Sequence, residues 1–385
     1  MRLIHTSDWH LGRRLHGVEL LEHQATFLEW LLGTAVAEQA DAVLVSGDVY
    51  DRAQPPADAV RLLDDTLARF VRAGIPLVLS SGNHDSAVRL QYGGAVMAEV
   101  GVHVRTTVEA IAEPVVLSDE HGEVAVYGVP FLVPDMVCQQ LGADRTHEAV
   151  LAAAIRRIRA DALERGIGRT VVMAHAFLSG AASSESEREI RIGGIGDTPS
   201  AVFDGVSYVA LGHLHGPQVV RLTGSPTTLE YSGSPLAFSF SERNHVKSVT
   251  VVDLDGVGGA TTRRIPTPVP RRLREVRGRL EDLLAGATAD PELAEAWVKV
   301  TLTDSERLAS PFEQLRRVWP HTLVLQFDQE GERAQLSAPA VGEAVDPAEI
   351  CFQFVQRVSG REPTAGQRHA LVQAVLECQA EEVSA

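Results

Sequence analysis

Along the first two-thirds of the chain, short apolar runs alternate with stretches in which apolar residues recur every three or four positions. The runs are RLIHTS (Arg2 to Ser7), DAVLVS (Asp41 to Ser46), IPLVLS (Ile75 to Ser80), VAVYG (Val124 to Gly128), TVVMA (Thr170 to Ala174) and SYVAL (Ser207 to Leu211). Unbroken apolarity over about five residues marks strands covered on both faces, as in a sheet flanked by other layers. Between the runs, Phe27, Leu28, Leu31, Leu32 and Ala35 keep helical spacing, as do Leu62, Leu63, Leu67, Phe70 and Val71, which stop at a capping glycine, Gly74. Leu151, Ala154, Ile155, Ile158 and Leu163 make a third stripe. Strand and helix in alternation predict an α/β layered architecture.

The pattern changes further on. SGAASSESEREIRIGGIGDT, Ser179 to Thr198, is rich in Ser, Glu and Gly and reads as a long surface loop. PTPVP, Pro266 to Pro270, reads as an extended linker inside a strip, Arg263 to Arg279, that holds seven arginines and one glutamate. A solvated face explains that strip better than a phosphate-binding one. WVKVTLT (Trp297 to Thr303) and HTLVLQF (His321 to Phe327) alternate as strands do, PFEQLRRVW (Pro311 to Trp319) lies between them, and Leu280, Leu283 and Leu284 indicate a preceding helix. This is a small α+β unit. Two amphipathic helices come next, striped by Ile350, Phe354, Val355 and Val358 and by Leu371, Ala374, Val375 and Cys378, the second opening on a capping box formed by Thr364 and Gln367. Helices this short need a surface to dock on, on this chain or another.

The polar residues at the ends of the runs carry the chemistry. Asp8 and His10 lie behind the first, Asp48 and Asp51 behind the second, Asn83, His84 and Asp85 behind the third, His175 behind the fifth, and His213 and His215 behind the sixth. Carboxyl ends of strands in an open α/β sheet share one edge, so these groups are expected to meet in one cleft. Buried polar groups cost free energy unless something binds them, and these types bind metal. Oxygen and imidazole donors without thiolate favour manganese, iron or magnesium. Asp8, His10, Asp48, Asn83, His175, His213 and His215 are enough for two ions if one carboxylate bridges, and Asp48, behind Gly47, is the best bridge. Two ions about 3.5–4 Å apart activate a water and stabilise an in-line displacement at phosphorus. His84 is then expected to protonate the leaving oxygen or steady charge, with Asp85 orienting its ring. The other histidines, His5 included, read as structural, while Asp51 either faces the substrate or precedes the helix that QPPAD begins, the second reading being favoured.

Composition narrows the class. Fifty-one acidic residues against 35 basic ones give a net charge of -16, which excludes a surface that is basic all over and weighs against polyanion binding unless a patch or partner supplies positive charge. The three cysteines fall in no C-x-x-C spacing, which removes a disulfide framework and a structural zinc site and fits a reducing compartment. Neither a charged-then-apolar leader nor an apolar stretch of about 18 residues occurs, so a soluble protein of the cytoplasm, with no membrane association, is expected. No G-x-x-x-x-G-K-[ST] occurs, so the chain is expected to bind no nucleotide.

The set D-x-H, G-D-x-x-D, G-N-H-D, a lone H and G-H-x-H resembles the calcineurin-like metallophosphoesterases. TSDWHLGRRLHG, SGDVYDRAQPP, SGNHDS and YSGSPLAFSFSE (Tyr231 to Glu242), with the order of the units, are similar to the SbcD family of bacterial nuclease subunits within them. The resemblance covers essentially the whole chain. It implies an α-β-β-α layered sandwich over 1–265, an α+β capping domain over 266–338 that touches DNA, and a helix-loop-helix tail over 339–385 that docks on an ATPase partner. It also implies that Asp8, His10, Asp48 and His215 hold one Mn2+ (or Fe2+ or Mg2+) and Asp48, Asn83, His175 and His213 the other. Members work as homodimers joined with two copies of the ATPase SbcC, on DNA ends and hairpins at the nucleoid. Arg13, Arg14, Arg52, Arg89, Ser232 and Ser234 are the candidate DNA contacts, with the Arg263 to Arg279 strip as a further candidate for phosphate. Archaeal and eukaryotic relatives carry histidine where Asp51 stands, so no substrate contact carries over to it. A small-molecule phosphatase or cyclic phosphodiesterase would use the same metals but has no use for the capping unit and tail. A scaffold with a dead site would show gaps among the ligands, and none is missing.

Overall fold

The computed structural model describes residues 1–187, 198–287, 289–304, 308–328 and 347–383. Two six-stranded sheets stack face to face. In chain order the strands are β1 (Arg2–Thr6), β2 (Arg14–Leu15), β3 (Val18–Glu19), β4 (Ala42–Ser46), β5 (Leu77–Ser80), β6 (Val102–Arg105), β7 (Val115–Asp119), β8 (Gly122–Val129), β9 (Thr170–His175), β10 (Tyr208–Gly212), β11 (Gln218–Val220), β12 (Thr228–Tyr231), β13 (Ser248–Leu254) and β14 (Ala260–Pro266). The first sheet has the order β14-β13-β1-β4-β5-β6 and the second β11-β12-β10-β9-β8-β7. The short β2–β3 hairpin stands apart.

Alternation within each run explains the two-faced apolarity. Leu3, Leu44, Val78, Val126, Val171, Met173 and Ala210 point into the layer between the sheets. Their neighbours Ile4, Val43 and Val45 meet the helices Leu21–Ala37 and Ala57–Ala73, while Val172 and Ala174 meet the helix His147–Arg165. The result is the expected α-β-β-α sandwich, and Gly74 caps its helix with φ 70°. β1, β4 and β5 run parallel, as do β8, β9, β10 and β12, so their carboxyl ends line one rim.

At that rim the two sheets nearly touch. Ser46 Oγ donates to Ala210 O at 2.9 Å, and a Cβ added to Gly212 would lie 1.7 Å from Ser46 O.

Beyond β14, three parallel strands, β15 (Leu273–Gly278), β16 (Trp297–Leu302) and β17 (Thr322–Phe327), form a third sheet with its own core of Leu280, Val298, Val300, Leu302, Leu315 and Trp319. A second cluster, Leu15, Leu20, Leu236, Phe238, Phe240, Leu273 and Trp297, joins this unit to the sandwich. The arginine strip is therefore not a free linker: it supplies the end of β14 and all of β15. Thr267, within PTPVP, is buried and tied to Lys247 O and Pro235 O at 2.9 and 2.8 Å. Arg263, Arg264, Arg271, Arg272, Arg274 and Arg277 each pair with a carboxylate, in agreement with a solvated rather than a phosphate-binding face. The tail forms the helices Pro347–Ser359 and Ala365–Val383, and Thr364 N–H donates to Gln367 Oε1 at 2.9 Å in the expected capping box. The Cys378 side chain and residues 188–197 of the Ser179 to Thr198 stretch lie outside what is described. Among the described residues no helix is long and apolar enough to cross a membrane.

Gly212→Ala is expected to destabilise the fold by about 3 kcal/mol, the upper range of overpacking. A lowered urea midpoint at unchanged slope would show it; an unchanged midpoint would contradict the close approach of the sheets.

Candidate metal centre

The strands β1, β4, β5 and β10 run into turns that carry polar side chains to the rim, and β9 ends on His175 itself. Seven non-glycine residues have φ in the left-handed region among those described, and four are Asp8 (53°), His10 (45°), Asp48 (48°) and His213 (104°). Asp and His tolerate that region better than most residues, and strain of this kind gathers at functional sites. The turns brace one another: Asp8 N–H donates to Gly47 O at 3.1 Å, His10 N–H to Asp48 O at 2.9 Å and His213 N–H to Asp8 Oδ1 at 3.0 Å. Gly47 (φ 79°) has no room for a side chain, because a Cβ would lie 2.2 Å from His175 Nδ1.

These turns bring all seven candidate ligands to one place. Asp48 Oδ2 lies 3.5 Å from His10 Nε2 and 3.4 Å from His175 Nε2, between the two halves of the cluster. On one side His10 Nε2 and His215 Nε2 are 3.3 Å apart, and Asp8, His10 and His215 are grouped closely enough to hold an ion. On the other, Asn83 Oδ1 sits 3.0 Å from His175 Nε2 and 3.2 Å from His213 Nδ1.

Charge explains what the cluster needs. Asp8 and Asp48 are buried, and among the described residues their ion-pair partners are histidines, never lysine or arginine. Burial drives His10 and His213 down to about 3, so both rings are neutral with a lone pair to offer. It also pushes Asp8 up to about 6. Burial works against a charged His175 too, but the carboxylates of Asp48 and Asp8 outweigh it and raise that ring to about 9. Two buried carboxylates, the neutral rings of His10 and His213 and no lysine or arginine among the described residues fit divalent cations, which would take the place of the proton that the carboxylates otherwise hold on His175.

Several supporting groups were not legible as such. Gln24 falls on the apolar stripe of the helix Leu21–Ala37 and is buried; its amide donates to Trp9 O and His10 O at 3.0 and 2.7 Å and its oxygen accepts from Gly12 N–H at 3.0 Å, fastening the D-x-H turn. A polar residue on an apolar face was the available signal. Asp51, read as structural, lies 3.5 Å from His10 Nδ1 and 3.2 Å from the Arg13 guanidinium. Its carbonyl accepts from His84 Nδ1–H at 2.9 Å, whereas the Asp85 carboxylate accepts from the N–H groups of Val49, Tyr50 and Gly82 at 3.0, 2.8 and 2.9 Å. The expectation that Asp85 orients the His84 ring is thus corrected: Asp85 fastens two loops, and the Asp51 backbone orients the ring. His5 points between the sheets, 2.9 Å from Tyr208 Oη.

The expected DNA contacts separate. Ser232 and Ser234 are fully buried, because Ser232 Oγ bonds Ser7 Oγ at 3.0 Å and Ser234 Oγ donates to Leu236 O at 2.8 Å; they are framework behind the site, which corrects their assignment as contacts. Arg13 stacks over Phe238 with 4.9 Å to the ring centroid. Arg14 pairs with Glu19, Arg52 lies 3.6 Å from Asp51, and Arg89 donates to Ala53 O, all three on the surface.

A sign for pH emerges from these shifts. Without metal, the raised His175 stabilises the fold fully below its ordinary value of 6.5, and that contribution is lost as pH rises through about 9. Asp8, raised to about 6, has the same sign at lower pH, where its contribution is present below its ordinary value of 3.8 and already lost above about 6, so the fall beyond pH 6.5 belongs to His175. In chelator the melting temperature is expected to fall between pH 6.5 and 9.5, and manganese to remove most of that fall; a flat profile in chelator would contradict the assignment.

Comparison with known proteins now adds to the geometry. The calcineurin-like phosphoesterase model matches residues 1–217, and the model described as type 5 capsule protein repressor C-terminal domain, SbcD_C, matches residues 269–358. The SbcD subunit of nuclease SbcCD in Rhodobacter capsulatus is 37% identical over 331 residues, covering 81% of this chain and 79% of that one. Its namesake in Staphylococcus saprophyticus is 31% identical over 329 residues, covering 84% of each. A rim of turns that crowds two carboxylates, an amide and four imidazoles together, on a chain matched over most of its length in this way, makes the protein a member of the calcineurin-like phosphoesterases and, within them, of the SbcD family.

Proposed function

We propose that the chain is the metal-dependent nuclease subunit of an SbcCD-type complex, hydrolysing DNA phosphodiesters at ends and hairpins. The observation that carries the reading is the cluster built around Asp48, whose Oδ2 lies between His10 and His175. Asp8, His10, Asp48 and His215 would hold one ion and Asp48, Asn83, His175 and His213 the other, with manganese the first choice for such oxygen and imidazole donors. Bound there, the ions supply Lewis acidity at the phosphate and an activated water, so no protein nucleophile is required.

The chain's own part is positioning and proton transfer. His84 N–H donates to Asp48 Oδ1 at 2.9 Å, which sets the loop, and the ring gives its Nδ1–H to Asp51 O, which leaves Nε2 for the substrate. In the neutral ring Nε2 is an acceptor, so His84 protonates a leaving oxygen from Nε2 only as imidazolium. The ring stands edge-on to His10 at 4.7 Å, which supports a proton delivered beside a phosphate that the metal cluster would hold.

Two exposed surfaces support partners. Directly after His84, the short helices Ala87–Leu90 and Gly94–Ala98 and the turn between them carry Val88, Val96 and Tyr92 at 83%, 75% and 88% exposure, an apolar patch of the kind that marks an interface and that suits a second copy of the chain. On the tail, Ile350, Phe354 and Val358 are exposed and supply the apolar face for SbcC. DNA affinity would come from the exposed Arg14, Arg52 and Arg89 near the site and from the partner, and the three-stranded unit would cap the DNA. Work on chromosomal ends implies a place in the cytoplasm at the nucleoid.

The test compares hairpin DNA with p-nitrophenyl phosphate, each with manganese or chelator. Metal-dependent cutting of the DNA is expected, and His84→Ala is expected to lower it by roughly 10²–10⁴-fold at unchanged manganese content. Fast turnover of the small ester with DNA left intact would favour a phosphatase instead. Deleting residues 346–385 is expected to spare cutting and abolish co-purification with SbcC; retained co-purification would refute the tail's role.

A further inference from the structure

The segment Tyr231 to Lys247 takes no part in the ligand set, yet it encloses one side of it. Glu242 is fully buried in the short turn Phe240–Glu242 and spends both carboxylate oxygens inside the protein. Oε2 accepts from Lys247 Nζ, itself buried, which also donates to His215 O at 2.8 Å and Ser234 Oγ at 2.9 Å. Oε1 accepts from Phe238 N–H at 3.2 Å and Ser186 Oγ at 2.8 Å, and lies 3.4 Å from His215 Nδ1. Ser186 Oγ in turn lies 2.9 Å from the same Nδ1. The Glu187 carboxylate takes the His215 backbone N–H. The stretch before residue 188, expected to be plain surface loop, thus contributes the half-buried Ser186 and the buried Glu187 against His215, which corrects that reading for these two residues.

A buried ion pair is a poor way to gain stability, because the desolvation of two charges offsets most of their attraction. Its placement gives it another use. An imidazole whose Nδ1–H is held by a carboxylate has a fixed tautomer, a fixed ring plane and a more basic Nε2, and Nε2 of His215 is the nitrogen that faces His10. Phe238 adds an apolar wall, standing edge-on to His10 and His215 at 5.2 and 5.4 Å.

We propose that Glu242, anchored by Lys247 and assisted by Ser186, is a positioning residue that holds His215 ready for the cation shared with Asp8 and His10, and that it acts on this one position of the two. The other position has a different support: His175 Nδ1 is held by a backbone carbonyl, Ser46 O, at 3.1 Å. The proposal rests on the dinuclear reading above.

Manganese titration of the full chain tests it, with bound ion counted directly rather than through activity. Glu242→Gln alone would strand the Lys247 ammonium, so the main variant is Glu242→Gln with Lys247→Met, which keeps an acceptor for His215 and removes both charges. Wild type is expected to bind two ions in two steps. The double variant is expected to weaken one step by about 10–100-fold and leave the other in place. Ser186→Ala, which keeps the ion pair, is expected to weaken the same step by a smaller factor and keeps the test open if the double variant does not fold. In a His215→Ala background the double change is expected to add nothing further, since its effect passes through that ring. Unchanged steps, or equal weakening of both, would overturn the role of Glu242 while leaving the metal centre standing. A wild-type chain that takes up no manganese would overturn the dinuclear reading and this proposal with it.

Discussion

Two carboxylates, Asp8 and Asp48, sit buried in the fold with no lysine or arginine paired to either among the described residues. That buried charge, which a protonated His175 offsets only in part, is the constraint on which the rest of the rim depends. It explains why four of the candidate ligands adopt left-handed backbone, why Gly47 must have no side chain, and why the sheets approach so closely at Ser46 and Gly212. Each feature is unfavourable taken alone. Together they hold oxygen and nitrogen donors at separations that cations satisfy and protein side chains do not.

The supporting groups around this centre divide by origin. Asn83, His84, Asp85 and Asp51 belong to two loops that Asp85 ties together through three backbone N–H groups. Gln24 fastens the first turn from a helix, and Glu242 with Lys247 stands behind His215 from a distant segment. The cluster of Leu236, Phe238, Phe240, Leu273 and Trp297 continues from that segment into the three-stranded unit. Phe238 belongs both to this cluster and to the wall beside His10 and His215, so the three-stranded unit is packed continuously with the centre.

Much of this was legible along the chain, because strand ends announce themselves. Unbroken apolar runs located β1, β4, β5, β8, β9 and β10, and the polar residues behind all of them but β8 converge as the parallel order of those strands requires. The features that escaped had no local signal of that strength. β15 lay hidden in an arginine-rich strip because its charges alternate and are neutralised by acids on other elements, such as Asp290 and Asp328. Ser232 and Ser234 looked like surface serines, yet their burial is set by Ser7 and Lys247, the first of them far away in the chain. Asp85 looked like a partner for its neighbour His84, but backbone N–H groups of another loop claim its oxygens first. Burial and pairing at these positions are tertiary facts, and spacing carries little information about them.

The most direct measurement of the central claim is an anomalous-difference map from crystals of the full chain grown with manganese. The account predicts two peaks in the rim cluster, both in contact with the Asp48 carboxylate, one flanked by Asp8, His10 and His215 and the other by Asn83, His175 and His213. A single peak, or manganese bound only away from Asp48, would contradict it.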